Sequence, residues 1–437
     1  MFKRTSSVKR IASNKTCRYG RVRGLGDTRV ALFNDVKDIP IREWNTMVGE
    51  HHGFIHLTYL DAIQKAYSES LEVRYAMFYS EEKLIGVAAF QITHFKTNTD
   101  SYHNGLMRFV AKAGELLRAG HVHNILIAGN AFATGEHGFC FFQDVAPERQ
   151  AGAIVTAMDM IALEERRNGR RICAMLVKDF YRMSSELSQA FRSYAFSDFK
   201  VDHNMIMPID GAWKTMDDYL KVLNTKFRTK AKSAFKRSAQ LEVRKPSAEW
   251  IFENRERMHE LYEAVHEKAD FRLGKLDQDV LNELLRVNWE DLEIRTYHLG
   301  ETCVGFLTAV ICGDRCEAHI VGLDYAHNRE HGIYQRMLYD YVDIAIQRRC
   351  AHLIFGRTAA EIKSTVGAFP VDLTVLIRHS RKISNTLLSL ILQYVKPSAF
   401  PQRQPYRLEH LQAIVPRFNG ILQDCQVHAG SDDEKDA

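Results

Sequence analysis

NREHGIYQRML, Asn328 to Leu338, is the stretch on which the reading of this chain turns. One glycine stands between a run of polar residues and a segment with helical spacing. The apolar run HIVGLDY (His319 to Tyr325) comes directly before it. The order is strand, tight polar turn, helix. Such a turn points backbone N–H groups beyond the strand end, where a helix N-terminus favours an anion.

Outward from that stretch the element order continues on both sides. DLEIRTYHL and TCVGFLTAVIC read as a hairpin around Gly300 and Glu301, and ICGDRCEAHIVGLDY extends it by one more turn. After the expected helix (Ile333 to Gln347) come the strand HLIFG, a short helix and the strand VDLTVLIRH. The first half of the chain shows the same order. LEVRYAMFY and LIGVAAFQITHF form a hairpin across SEEK, followed by an amphipathic helix over Gly105 to Arg118 and the strand HNILIAG. The loop NAFATGEHG, the strand FCFFQDV, a long helix (Glu148 to Arg167) and the buried strand RRICAMLVKDF complete it. The fold class expected is α+β, a duplicated module whose mixed, mostly antiparallel sheets are flanked by helices. Element order carries that reading, not residue-level repetition. The divisions are a basic leader (1–30), a first module (31–208), a helical basic segment (209–286), a second module (287–380), and a C-terminal helix with an acidic tail (381–437).

A chain of 437 residues exceeds one ordinary core. With 46% hydrophobic and 26% charged residues it has the composition of a globular protein. No apolar run approaches the roughly 18–20 residues that span a bilayer. The most apolar stretch, TLLSLILQYV (Thr386 to Val395), reads as a core helix, with basic flanks at Arg378, Arg381, Lys382 and Lys396 that leave a surface role open. The first thirty residues are rich in Arg and Lys with only Asp27 as acid; lacking an apolar core, they do not read as a secretory signal. Both ends read as disordered. Eight scattered cysteines fit reduced thiols in a cytoplasmic setting, with attachment to the inner face of a membrane as an extension of that expectation. Cys312, Cys316 and His319 have a metal-like spacing, but no fourth ligand accompanies them, so no metal is expected.

KFRTKAKSAFKRSAQ contains Lys226, Arg228, Lys230, Lys232, Lys236 and Arg237, six cations without an acid. Like charges on one helix repel. A phosphate-rich partner, tRNA or an anionic membrane surface, explains the run better than solvation alone. On CEAHIVGLDY, alternation puts Glu317, His319 and Tyr325 on one face. Glu317 and His319 offer a general base for an amine nucleophile, with His319 the first choice, or else a structural pair. In GRTAAEIK, Thr358 reads as an N-cap with Glu361 completing a capping box, which leaves Arg357 and Lys363 for a phosphate or carboxylate. The loop GNAFATGEHG offers Asn130, Glu136 and His137 as substrate contacts, which would place a site between the modules, or else is a tight connection whose glycines serve backbone geometry. Nucleotide-binding, serine-hydrolase and zinc-protease signatures are absent from the sequence.

Arg329-x-x-Gly332-x-Tyr334 resembles the Gln/Arg-x-x-Gly-x-Gly/Ala turn of the GNAT N-acetyltransferase fold. In that family the turn's amides hold the pyrophosphate of coenzyme A. The resemblance therefore implies cofactor-binding roles for Arg329, Gly332 and Tyr334, although Tyr334 stands where the family usually has Gly or Ala. FGRTAAEIKSTVGAFP (Phe355 to Pro370) and KFRTKAKSAFKRSAQ are similar to segments of the tandem, Fem-type group of bacterial acyltransferases. The resemblance implies transfer of an acyl group to a primary amine of a lipid or cell-envelope precursor. Acyl-CoA or an acyl carrier protein would be co-substrate, and no cofactor would be tightly bound. An aminoacyl-tRNA donor in peptidoglycan synthesis and a non-catalytic binding scaffold are the alternatives.

Overall fold

The structure is a computed structural model and describes residues 18–21, 28–66, 71–96, 122–268, 279–286 and 290–414. Most of the basic leader, the helix expected at Gly105 to Arg118 and the acidic tail lie outside these residues.

The first half contains β1 (Arg18–Arg21), β2 (Thr28–Phe33), α1 (Ile41–Val48), α2 (Leu57–Ala66), β3 (Leu71–Ser80) and β4 (Lys83–Lys96). It continues with β5 (Val122–Ala128), β6 (Phe139–Phe141), α3 (Pro147–Arg167), β7 (Ile172–Phe180), α4 (Ser185–Ala190) and β8 (Ser197–Pro208). The middle segment holds α5 (Met216–Val222), α6 (Thr225–Arg237), β9 (Glu242–Arg244), α7 (Ala248–Glu253), α8 (Arg255–Lys268) and α9 (Val280–Arg286). The second half comprises β10 (Leu292–Leu299), β11 (Thr302–Cys312), β12 (Arg315–Leu323), α10 (Tyr325–His331), α11 (Ile333–Gln347), β13 (His352–Gly356), α12 (Ala360–Ser364) and β14 (Phe369–His379). Helices α13 (Lys382–Leu392) and α14 (Leu408–Ile414) come last.

Among the described residues all fourteen strands join one sheet, in the order β1-β2-β3-β4-β5-β7-β14-β8-β13-β12-β11-β10-β9, with β6 on β4. Two neighbouring pairs are parallel, β5 with β7 and β12 with β13; the other pairs are antiparallel. The last strands of the halves are exchanged. β8 closes the first half in sequence yet pairs with β13, and β14 closes the second half yet pairs with β7. The halves therefore share their central strands, and the division at residue 208 falls at the end of a strand belonging to both surroundings. Strand β11, TCVGFLTAVIC, is buried along nearly its whole length. Covering on both faces explains why it reads as a continuous apolar run.

The core on one face is common to both halves. Trp44, Tyr59 and Tyr75 belong to the same buried cluster as Phe306, Val310 and Ile320, and α9 packs on α2. The segment between α1 and α2 reaches the β11–β12 turn, where the backbone carbonyl of His51 accepts from Arg315. Gly313 at that turn has φ +60°, and a Cβ there would fall 2.1 Å from the His51 ring. The close approach leaves room for glycine alone.

The expected tight turn after β12 is helical. Asp324 caps α10 by accepting from the Ala326 N–H, and Gly332, at φ 62°, links α10 to α11. Three further expectations are corrected here. Tyr325 lies in α10, beyond the last strand residue, so it does not share the strand face of Glu317 and His319. Thr358 is not an N-cap: Ala359 holds that position at φ 55° with no side-chain bond. Glu361 instead pairs with Arg403. Helix α13 is not a core helix, since Ile383, Leu387 and Leu390 are exposed.

Candidate active site between the two halves

The parallel pairing of β12 with β13 runs from Arg315–His352 to Glu317–Ile354 and then stops, although both strands continue. The strands diverge beyond Glu317, and a cavity of about 250 Å³ occupies the gap. Glu317 and His319 line it from β12, and Phe355, Arg357 and Thr358 from the end of β13. Their alternation along β12 sends both side chains to the same side.

The first half forms the opposite wall. The loop after β5 contributes Ala131, Phe132, Ala133 and Thr134, and β7 contributes Lys178. The loop closes on itself: a Cβ on Gly138 would stand 2.7 Å from the Gly129 amide nitrogen, and Gly129 has φ +145°. Lys178 Nζ donates to the carbonyls of Asn130 (2.6 Å) and Ala133 (3.3 Å), which ties the loop to β7. Asp179, fully buried, ion-pairs with Arg357 from the other half and lies 3.5 Å from Lys178. It also accepts from the Gly135 N–H at 3.3 Å. One carboxylate thus joins the loop, β7 and the β13 end.

His137 Nε2 lies 3.9 Å from Glu317 Oε1, and Arg315 Nε lies 3.8 Å from the same oxygen. Phe54, from the segment between α1 and α2, packs on both His137 (ring centroids 4.6 Å apart) and His319 (5.1 Å). Tyr59 Oη is 3.4 Å from His319 Nε2. Glu136 accepts from the Tyr181 N–H at 3.0 Å.

Burial sets the proton affinities. Withdrawal from water pushes the Glu317 carboxyl up to about 7, against the opposing pull of the Arg315 guanidinium. The same burial drives the His319 imidazole down to about 3, so it is neutral at ordinary pH. His137 is held well below its ordinary value by burial and then by Arg315. Burial raises the Glu136 carboxyl. Lys178 is lowered to about 8 by burial, with Asp179 opposing. These shifts reverse the expected ranking on β12. A general base works best with a pKa near the working pH, which Glu317 has and His319 does not.

Lys363 does not face the cavity as an anion ligand. Its buried Nζ donates to the carbonyls of Phe355 (2.7 Å) and Gly356 (3.2 Å), and burial lowers it to about 7. Arg357 lines the cavity, but Asp179 already engages it.

The residues of the opening stretch lie elsewhere. Tyr325 lines a second cavity with Arg257, Asp324 and Lys268, and the Lys268 ammonium sits 3.3 Å from its ring centroid. Arg329 is exposed in the last turn of α10. The Tyr334 N–H at the start of α11 donates to Asn328 Oδ1 at 2.9 Å and the Gly332 N–H to the Asn328 carbonyl at 2.8 Å, so two amides expected to meet a pyrophosphate are already engaged. Arg237 from α6 donates to the carbonyls of Arg329 (2.5 Å) and Glu330 (3.4 Å) beside Gly332.

Sequence reading missed Phe54, Tyr59, Lys178 and Asp179. For the last two a signal existed: adjacent opposite charges close an otherwise apolar strand, and buried charges are rare unless paired. Phe54 and Tyr59 carried none, because only tertiary packing brings α2 to β12. Among the described residues, no group of three or more His, Cys, Asp or Glu is placed to hold a metal ion.

On α6, Phe227, Ala231 and Ala234 face the core. Lys226, Lys230, Lys232 and Lys236 are exposed. Among the described residues, no carboxylate lies within ion-pair reach of these four or of Arg228. No helix of the described residues is long and apolar enough to cross a membrane.

Residues 225–364 match the family model described as an acetyltransferase (GNAT) domain. That stretch runs from α6 to α12 and includes the β12–β13 gap. No curated protein matches the chain in sequence. Among solved structures, FemX is 13% identical, with 81% of this chain and 99% of that one covered at a TM-score of 0.49. L-PGS from Bacillus licheniformis is 11% identical, with 77% and 97% covered and a TM-score of 0.42. A tandem GNAT protein from the clavulanic acid biosynthesis pathway is 7% identical, with 74% and 88% covered and a TM-score of 0.43. At such identity these similarities say nothing of substrate. By its family-model match, the stretch 225–364 is similar to a GNAT acetyltransferase domain, and it is set in an α+β protein of two halves around one mostly antiparallel sheet.

Proposed function

We propose that the protein is an N-acyltransferase. It moves an acyl group from an activated donor, an acyl-CoA or acyl carrier protein, to a primary amine of a lipid or cell-envelope precursor. The observation that carries this reading is Glu317: a carboxyl raised to about 7, set where β12 and β13 part. An ammonium must lose its proton before it attacks. Glu317 as carboxylate accepts that proton, the amine forms a C–N bond to the thioester carbonyl, and the C–S bond breaks to release the thiol. Phe54, Phe132 and Phe355 give the cavity apolar walls suited to an acyl chain. Neutral His319, beside Tyr59, positions the amine by hydrogen bonding. Asn130, Glu136 and His137 act by shaping the acceptor side of the cavity. Arg329, exposed outside the cavity, remains as a contact for the donor's distal phosphates, whereas the Gly332 and Tyr334 amides are already engaged by Asn328.

A second reading, an aminoacyl-tRNA donor, is favoured by the exposed lysines of α6. Phosphate contacts dominate nucleic-acid affinity and make it salt-dependent.

Thermal-shift measurements against acetyl-CoA, palmitoyl-CoA, free coenzyme A and bulk tRNA, at low and moderate salt, separate the two. A ligand that binds the native state raises the melting temperature. The first reading expects a shift with an acyl-CoA that survives salt. A shift with tRNA alone, lost with salt, moves the protein to the second. No shift with any of the four leaves a non-catalytic scaffold or a carrier-protein donor, which titration with an acylated carrier protein then decides.

A further inference from the structure

Helix α13 has two apolar faces. Leu388 and Leu392 are buried against Phe199, Val201, Leu373 and Val375. Asn385, on the same side, bonds the His379 N–H (2.7 Å) and the Ala195 carbonyl (2.9 Å), which fixes the helix to the sheet. On the opposite side Ile383, Leu387 and Leu390 form a line at i, i+4 and i+7, and Tyr394 follows in the turn two residues past the helix end. They are 80%, 54%, 56% and 77% exposed. An apolar strip of this kind is uncommon on a protein surface without a partner.

Charge indicates the partner. Between Asp372 and Glu409 the chain has six cations, Arg378, Arg381, Lys382, Lys396, Arg403 and Arg407, and no carboxylate. Arg378 and Arg403 are paired with Asp159 and Glu361. Among the described residues, Arg381 and Lys382 at one end of the strip and Lys396 at the other have no ion-pair partner. A strip capped by exposed cations at both ends is complementary to an anionic bilayer surface, with apolar side chains among the acyl chains and ammonium and guanidinium groups at the phosphates. Four side chains are too few for a stable protein dimer, which takes about 20 or more residues a side.

We propose that α13, with the turn that follows it, is an interfacial element that docks the protein on an anionic lipid surface through Ile383, Leu387, Leu390 and Tyr394, with Arg381, Lys382 and Lys396 at the headgroups. The helix lies flat on the bilayer and does not cross it. This surface is separate from the cations of α6, and the proposal stands whether or not the protein transfers acyl groups.

Co-sedimentation of the full chain with vesicles tests it, using phosphatidylcholine alone and phosphatidylcholine mixed with phosphatidylglycerol. The wild type is expected to sediment with the anionic vesicles and to stay in solution with the neutral ones. Leu387→Asp with Leu390→Asp should lower the bound fraction about tenfold or more, at an unchanged melting temperature because both positions face solvent. Arg381→Ala, Lys382→Ala and Lys396→Ala together should remove the preference for phosphatidylglycerol; this charge variant decides the matter if the aspartates disturb folding. Lys226→Ala with Lys230→Ala should leave vesicle binding unchanged. The proposal is overturned if the wild type ignores both vesicles, if the aspartate variant binds as the wild type does, or if only the α6 variant loses binding. It is equally overturned if size-exclusion chromatography shows a dimer that the aspartates dissociate, since the strip then belongs to a second copy.

Discussion

In the first half, β5 and β7 stay paired from Asn124–Ile172 to Ala128–Val177; in the second, β12 and β13 part after Glu317–Ile354. The two parallel pairs occupy matching places in the element order but carry different side chains. β5 is apolar along its described interior, Ile125 to Ala128, and leads into a closed glycine loop. β12 carries Glu317 and His319 into a gap. Matching places in the two halves thus hold a strand pair that carries chemical groups and a strand pair that supports the wall facing them. Fold alone would have assigned both the same role.

The largest expected effect comes from removing the proton acceptor. Glu317→Gln should reduce kcat/KM for acyl transfer by about 10²–10⁴-fold. The wild-type rate should rise with pH around a midpoint of about 7, and the variant should lose that step. Stability moves the opposite way. The folded-state pKa of Glu317 lies above its ordinary 4.5, so the folded protein binds the extra proton between about 4.5 and about 7. Stability from this group is present below that window and lost as pH rises through it. Urea titrations at pH 8 should therefore find Glu317→Gln at least as stable as the wild type.

Arg357→Ala separates the halves at their shared ion pair. It leaves Asp179, which is fully buried, without its cross-half partner. Breaking a buried pair from one side costs about 3–5 kcal/mol, to be read as a drop in urea midpoint. Gly138→Ala tests the first half's wall alone. Its Cβ would meet Gly129 backbone atoms at 2.7–2.9 Å, and overpacking of this kind costs about 1–3 kcal/mol. If it also lowers transfer without touching Glu317, the loop positions the acceptor.

His319→Ala should matter less than Glu317→Gln, with a loss of about tenfold, because a group with a pKa of about 3 is a poor base near neutrality. Here the folded pKa lies below the ordinary 6.5, so wild-type stability rises with pH from about 3 to 6.5. The variant should flatten that rise. The smallest effect is expected for Lys226→Ala with Lys230→Ala. It should leave acyl transfer intact and, should tRNA bind, reduce the slope of log affinity against log salt by about 2.

Local pattern explains what the sequence disclosed. The strand order of each half, the long helix α3, helix α11 and the basic face of α6 arise from periodicity and turn residues, and the structure contains all of them. Glu317 and His319 were legible as a pair because strand alternation is a local rule. The exchange of β8 and β14 was not, since pairing across more than a hundred residues leaves no trace in composition. Neither was the helical character of the Asn328–Gly332 segment: HNREHG has turn-forming residues, but Asp324 supplies a cap four residues earlier and Gly332 ends the helix in a left-handed conformation. Choosing His319 over Glu317 failed for a related reason. The ordinary pKa of histidine suits the task, yet both groups are buried, and burial moves an acid up and a base down.

The most direct test is the titration of the Glu317 carboxyl itself, monitored by infrared difference spectroscopy of the wild type and Glu317→Gln across pH 4–9. A carboxylic-acid carbonyl band that disappears with a midpoint of about 7 in the wild type, and is missing from the variant, is the result expected from a carboxyl buried where β12 and β13 part. Identical spectra for the two proteins, or a band lost near 4.5, would show Glu317 ionised throughout the neutral range and remove the proton acceptor from the proposed reaction.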